Sequence, residues 1–197
     1  MKEKEILRRL KEQKYLTIQT LKDAGLSYYQ IRRLVETNQL RKLNRFSYEN
    51  LQYAANEGEY SSLHVHVRQG ILCLWSAANY HGISNVRSPY YEVAIAQKSR
   101  VFNLPDWPPI KLYYFGDARL RLGVTTMSES DGSFAVYDRE KTVCDLLLHR
   151  NKTSLEDVLA VLKTYLQLAD RDIPKLLAYA KQLRCYPLMK QYLEVLL

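Results

Sequence analysis

Apolar residues recur at helical spacing from Thr17 to Val35, in two pieces broken at Gly25. In the second piece Ile31, Leu34 and Val35 share one side at about 100° per residue, while Tyr29 and Arg33 point away from it. Ser27 stands three positions before Gln30. At that spacing the serine hydroxyl takes the Gln30 backbone N–H and the glutamine side chain reaches back, so a helix is predicted to start at Ser27. Leu40, Leu43, Phe46 and Tyr48 are then spaced like two very short strands around Asn44-Arg45, with Asn44 in a left-handed turn and Arg45 at the tip. Three helices and then this hairpin make a winged helix-turn-helix, expected over residues 1–55.

The polar stretch Asn56-Glu57-Gly58-Glu59 marks a boundary, with a second domain expected over residues 60–197. Residues 68–81 read as one strongly apolar helix carrying Ile71, Leu72, Leu74, Trp75 and Ala78, stopped by Gly82 in the left-handed conformation. Residues 90–96 and 110–115 are rich in Tyr, Val, Ile and Phe and read as strands, with Pro105, Pro108 and Pro109 between them. Further extended pieces over 120–127 and 133–136 complete a small sheet of about four strands, with a hairpin loop at 127–132. From Asp138 on the pattern is helical. Asp138 caps a helix to about His149, Ser154 with Asp157 caps the next, a third begins near Asp172 with Pro174 in its first turn, and a last one follows Pro187. The expected class is α+β: a winged helix-turn-helix followed by a mixed α/β domain with a small sheet and a helical C-terminal third.

Charge sharpens the reading of the first domain. The chain has 197 residues and a net charge of +8, and residues 1–55 hold twelve Lys and Arg against six Asp and Glu. Most of the excess therefore sits in the first quarter, which favours a polyanion partner there. Double-stranded DNA is the expected one. The second helix supplies Ser27, Tyr28, Tyr29, Gln30, Arg32 and Arg33, with Thr17 ahead of the first helix, and the wing supplies Arg41, Lys42 and Arg45. An apolar content of 47% supports real cores, and no run of 18 apolar residues or signal-like N-terminus is present, so a soluble cytoplasmic protein with no membrane partner is expected. Cys73, Cys144 and Cys185 are widely spaced and odd in number, which fits reduced, buried thiols.

Candidate chemistry changes the picture little. His64 and His66 share a face of an extended segment, without a third ligand of suitable type nearby in sequence. Ser128 to Asp131 form an acidic turn, and no glycine-rich loop precedes a helix. Ser76 and His81 lack the strained elbow that exposes a serine nucleophile. No catalytic residue, metal or cofactor is expected, and the chain does not read as an enzyme.

A winged helix, an apolar segment ending in His81-Gly82, a sheet, and then Val136-Tyr137-Asp138-Arg139-Glu140-Lys141-Thr142-Val143-Cys144-Asp145-Leu146-Leu147 resemble the AbiEi-family antitoxins, the regulator halves of AbiE toxin-antitoxin and phage abortive-infection modules. The family signature is Tyr-Asp, a spacer, Glu, a basic residue, Thr, an apolar residue and Cys-Asp; residues 137–145 match it throughout. The chain departs from the family at the wing, with Asn44-Arg45 where Arg-Gly is frequent, and after the recognition helix, with Asn38-Gln39 where Gly is frequent. The resemblance implies a non-enzymatic autorepressor that binds inverted repeats in its own promoter and counteracts a nucleotidyltransferase-type toxin, with or without a stable complex. It places Tyr137, Asp138, Glu140, Lys141, Thr142 and Asp145 in the antitoxin-domain motif. Two readings of that motif stay open: a folding device begun by the Asp138 cap, or a functional surface presented by Glu140, Lys141 and Asp145. The alternative for the whole chain is a winged-helix transcription factor with a ligand-binding or dimerisation domain and no toxin.

Overall fold

The computed structural model describes residues 13–53, 60, 63–101, 104–105, 109–129 and 132–196. They form an α+β protein in two compact units, one within Met1–Arg68 together with Phe102–Pro105 and Ser128–Phe134, the other Gln69–Val101, Asp106–Met127 and Ala135–Leu197. The boundary expected at 56–59, and a helix ahead of Tyr15, lie outside the described residues.

In the first unit the order is β1 (Tyr15–Thr17), α1 (Ile18–Asp23), α2 (Tyr28–Glu36), β2 (Leu40–Lys42) and β3 (Ser47–Asn50), followed by a single helical turn, α3 (Leu63–His66). The strands make an antiparallel sheet ordered β1-β3-β2, with Leu16 opposite Tyr48 and Arg41 opposite Glu49. Leu16, Leu21, Leu26, Ile31, Leu34, Leu40 and Tyr48 form its core. Both predicted helices are present, and the Ser27–Gln30 capping box closes in both directions. Gly25 (φ 92°) and Asn38 (φ 52°) take the left-handed conformations that turn the chain after each helix, so Asn38 does what glycine does elsewhere. Asn44 does not. Its φ is not positive, and its side-chain Oδ1 instead accepts the Phe46 N–H at 2.9 Å, turning the hairpin by a side-chain bond.

From Ile71 on the chain runs β4 (Ile71–Leu72), α4 (Leu74–Tyr80), β5 (Tyr91–Ala96), β6 (Ile110–Phe115), α5 (Asp117–Arg121), β7 (Val124–Glu129), β8 (Gly132–Tyr137), α6 (Arg139–His149), a 3₁₀ turn (Arg150–Lys152), α7 (Leu155–Gln167), α8 (Ile173–Gln182) and α9 (Tyr186–Leu196), all in the second unit except the Ser128–Phe134 part of β7 and β8. Its five-stranded sheet is ordered β6-β5-β4-β8-β7, antiparallel between β4 and β5 and parallel at β5–β6 and β4–β8. The single helix expected over 68–81 is therefore a strand and a helix. Ile71 and Leu72 form the middle strand, paired on both sides and buried, and such a continuous apolar run carries no period to tell it from helix. Leu74, at φ 48°, marks the switch from β4 to α4, and Gly82 (φ 66°) stops α4 as expected. The piece expected to be extended over 120–127 begins as the end of α5, and Gly123 (φ 68°) turns the chain into β7. Strand β7 extends to Glu129 and β8 begins at Gly132, within the loop expected over 127–132. The helical C-terminal third follows its caps: Asp138, Ser154 and Asp172 accept the N–H groups of Lys141, Asp157 and Lys175. The last helix starts one residue before Pro187, which sits in its first turn. Around α6 lies the main core, which includes Cys144, Leu146, Leu147, Val161, Tyr165, Leu176 and Met189.

Candidate functional site

Burial of Ile31 and Leu34 against the first core decides which residues α2 turns outward. Tyr28 and Tyr29 are 61% and 75% exposed, and Arg32 and Arg33 are exposed beside them. Arg32 Nε donates to Glu36 Oε1 at 3.0 Å in a pair open to water, an interaction weak enough to exchange for another acceptor. Lys22, on α1, brings its ammonium 4.0 Å from the Tyr28 ring centroid. On the hairpin, Lys42 and Arg45 are exposed, and the Arg45 guanidinium lies 5.1 Å from the exposed Phe46 ring.

Four of the expected contact residues have other partners. Thr17 Oγ1 accepts the Thr20 N–H at 3.0 Å and caps α1; Ser27 and Gln30 are tied to each other's backbone N–H at the start of α2. Arg41 reaches back to Glu49, Nε to Oε2 at 2.6 Å, and Lys14 joins the same buried carboxylate at 3.4 Å. The exposed basic side chains are thus Lys22, Arg32, Arg33, Lys42 and Arg45, with Arg41 exposed but turned to Glu49, interleaved with Tyr28, Tyr29 and Phe46. Lys22 was not legible in sequence because its approach to Tyr28 depends on the turn at Gly25.

The signature of residues 137–145 lies inside the second unit. Asp138, Glu140, Lys141, Thr142 and Asp145 are all buried, as is Tyr137. Lys141 Nζ is paired with Asp145 Oδ2, while Arg119 Nε and Nη2 donate to Asp145 Oδ1 at 3.1 and 2.9 Å. The Lys141 ammonium also sits 4.0 Å from the Tyr137 ring centroid. Burial pulls its pKa down, and Asp145 opposes that pull. Tyr137 OH donates to Leu120 O at 2.9 Å, and Thr142 Oγ1 to Asp138 O at 2.8 Å. Lys175 binds Asp138 at 3.0 Å and Glu140 at 2.9 Å, and Tyr165 OH donates to Glu140 at 2.9 Å. These bonds tie α6 to α5, α7 and α8. Glu140, Lys141 and Asp145 are buried with their charges paired in the interior, as the folding-device reading of the motif requires.

Ser76 and His81 do not meet. Ser76 Oγ accepts the Glu92 N–H at 2.9 Å, and His81 Nε2 lies 2.6 Å from Tyr137 O. Among the described residues no group of three or more His, Cys, Asp or Glu comes together to hold a metal; Cys73, Cys144 and Cys185 are free and buried. No helix among them is long and apolar enough to cross a membrane.

Sequence reading missed a cleft of about 390 Å³ between α4, β5, β6 and the end of α6, whose lining includes Trp75, Arg87, Tyr90, Glu92, Lys111, Tyr113, His149 and Lys152. Glu92 is 4% exposed, and its carboxylate accepts the Trp75 N–H and the Tyr113 hydroxyl, both at 2.8 Å. Its residues come from four separate segments, so no local spacing announces it.

Fold and sites together define an α+β protein with a basic, tyrosine-bearing helix face in its first unit and a buried charge network in its second. No protein-family model matches the chain, and no curated protein matches it in sequence. In fold it is similar to the RV2827C protein from Mycobacterium tuberculosis, known from a crystal structure, at a TM-score of 0.56 and 15% identity over 89% of this chain and 70% of that one. At that identity the likeness concerns fold alone.

Proposed function

We propose that the chain is a DNA-binding autorepressor of the antitoxin kind, with a winged helix-turn-helix in its first unit. The observation that carries this reading is the outward face of α2, where Tyr28, Tyr29, Arg32 and Arg33 stand exposed on a helix held by a capping box, beside a hairpin carrying Lys42 and Arg45. Helix α2 enters the major groove of double-stranded DNA, and the β2–β3 wing lies along the neighbouring phosphates. The inverted repeats of the chain's own promoter are the expected site.

The antitoxin part rests on the match of residues 137–145 to the AbiEi signature. The partner is a nucleotidyltransferase-type toxin, opposed with or without a stable complex. Because the signature residues are buried, antitoxicity belongs to other residues of the second unit, which the motif holds in place. Co-expression tests this half. The full chain rescues growth against a toxic neighbouring gene, and Arg32→Ala/Arg33→Ala keeps the rescue when expression is driven from an unrelated promoter. A neighbouring gene that is harmless, or toxicity that the full chain leaves untouched, overturns the antitoxin reading.

A second reading, a winged-helix regulator whose second unit takes a ligand and has no toxin, draws support from the cationic cleft.

A further inference from the structure

The cleft between α4, β5, β6 and the end of α6 has a composition that the operator reading does not require. Its volume of about 390 Å³ suits a small molecule. Three exposed cations, Arg87, Lys111 and Lys152, line it, against the single carboxylate of Glu92. The Lys111 ammonium lies 5.9 Å from the Tyr90 ring centroid and 5.5 Å from that of Tyr113, so positive charge and two ring faces lie side by side. His149 packs edge-on against Tyr113 with centroids 5.3 Å apart. Burial lowers its pKa, and the nearby Lys152, Arg119 and Lys111 charges lower it further, against the opposing pull of Asp145. Positive charge therefore converges on His149. Glu92 stands directly across from Lys111 in the β5–β6 register, and its carboxylate accepts from the Trp75 N–H and the Tyr113 hydroxyl.

We infer that this cleft binds a nucleoside phosphate, free or at the end of a nucleic-acid strand, with the phosphate on Lys111 and Lys152, the base against Tyr90 and Tyr113, and an amino group of the base on Glu92. Each part has its chemistry. Ammonium groups hold phosphate as point charges, tyrosine faces stack bases, and a fixed carboxylate accepts from an exocyclic amine but repels a carbonyl in the same place. The inference is independent of the operator reading, since no cleft residue belongs to the basic face of α2.

The test is calorimetric titration of the full chain, without DNA, with CTP, ATP, UTP, inorganic triphosphate and a short single-stranded RNA. CTP and ATP bind saturably, and UTP binds about tenfold more weakly because its carbonyl faces Glu92. Lys111→Ala/Lys152→Ala, which removes two exposed side chains, weakens nucleotide binding by about tenfold or more. Arg32→Ala/Arg33→Ala leaves it unchanged, which separates this site from the proposed DNA face. Glu92→Gln abolishes the preference for CTP over UTP. If the RNA outcompetes free nucleotides, the ligand is a strand end; if they outcompete it, the ligand is the free nucleotide. Absence of saturable binding by every nucleotide and the RNA, inorganic triphosphate binding as tightly as ATP, or indifference to the lysine double variant would overturn the inference.

Discussion

Replacing Asp145 with alanine removes the one carboxylate bonded to the Lys141 ammonium. Both side chains are wholly buried; the Tyr137 ring lies 4.0 Å and the Phe115 ring 5.3 Å from that ammonium, and the Arg119 charge opposes it. A buried pair broken from one side costs roughly 3–5 kcal/mol, and the two rings return no more than about 1–2 of that. A net loss of about 1–4 kcal/mol is expected for Asp145→Ala. The reverse cut is milder. In Lys141→Met the carboxylate keeps both Arg119 bonds, so the loss falls to about 1–3 kcal/mol. Removing both, in Lys141→Met/Asp145→Leu, leaves only Arg119, whose side chain is 30% exposed and regains water, and stability returns to within about 1–2 kcal/mol of the parent. Native-state hydrogen exchange of the α6 amides reads this unit by itself. A loss below about 1 kcal/mol for Asp145→Ala, or a double variant as unstable as the sum of the singles, would refute the network as the anchor of α6.

Gly123→Ala is expected to cost about 2–4 kcal/mol in the same assay, because φ is 68° and the new Cβ would meet Lys141 Cβ at 2.7 Å and Asp138 Oδ1 at 2.9 Å. His81 supplies a pH test. Burial is the largest influence on it and lowers its pKa below the ordinary 6.5, so its contribution to stability is complete above that value and is lost as pH falls through the lower folded value. His81→Gln, whose amide still donates to Tyr137 O, flattens the acid side of the stability profile; an unchanged slope in pH-dependent thermal melts would show that His81 does not titrate with unfolding.

Elements with local punctuation were legible from the chain alone. Ser27–Gln30, Asp138, Ser154–Asp157 and Asp172 each announce a helix by a side chain that takes an N–H within its own first turn. What was not legible depends on residues far apart in sequence. Ile71 and Leu72 become a strand because β5 and β8 flank them, and β1 exists because β3 pairs with it, not because three residues have a propensity of their own. The same holds at the sites. The outward face of α2 followed from its period, whereas Arg41's diversion to Glu49 needs the β2–β3 register. The acidic and basic letters of the signature left both surface and interior open in the sequence, and in the structure Arg119, Lys175 and Tyr165 arrive from other elements to pair them.

Whether α2 reads DNA is decided by fluorescence anisotropy of the full chain on a fragment from upstream of its own gene. Saturable binding is expected that prefers this fragment to unrelated DNA and weakens steeply as salt rises, because phosphate contacts release counterions. Arg33→Ala is predicted to lower that affinity by about tenfold or more, with Arg32→Ala acting in the same direction. Equal affinity for unrelated DNA, or unchanged affinity in both arginine variants, would contradict DNA reading by α2.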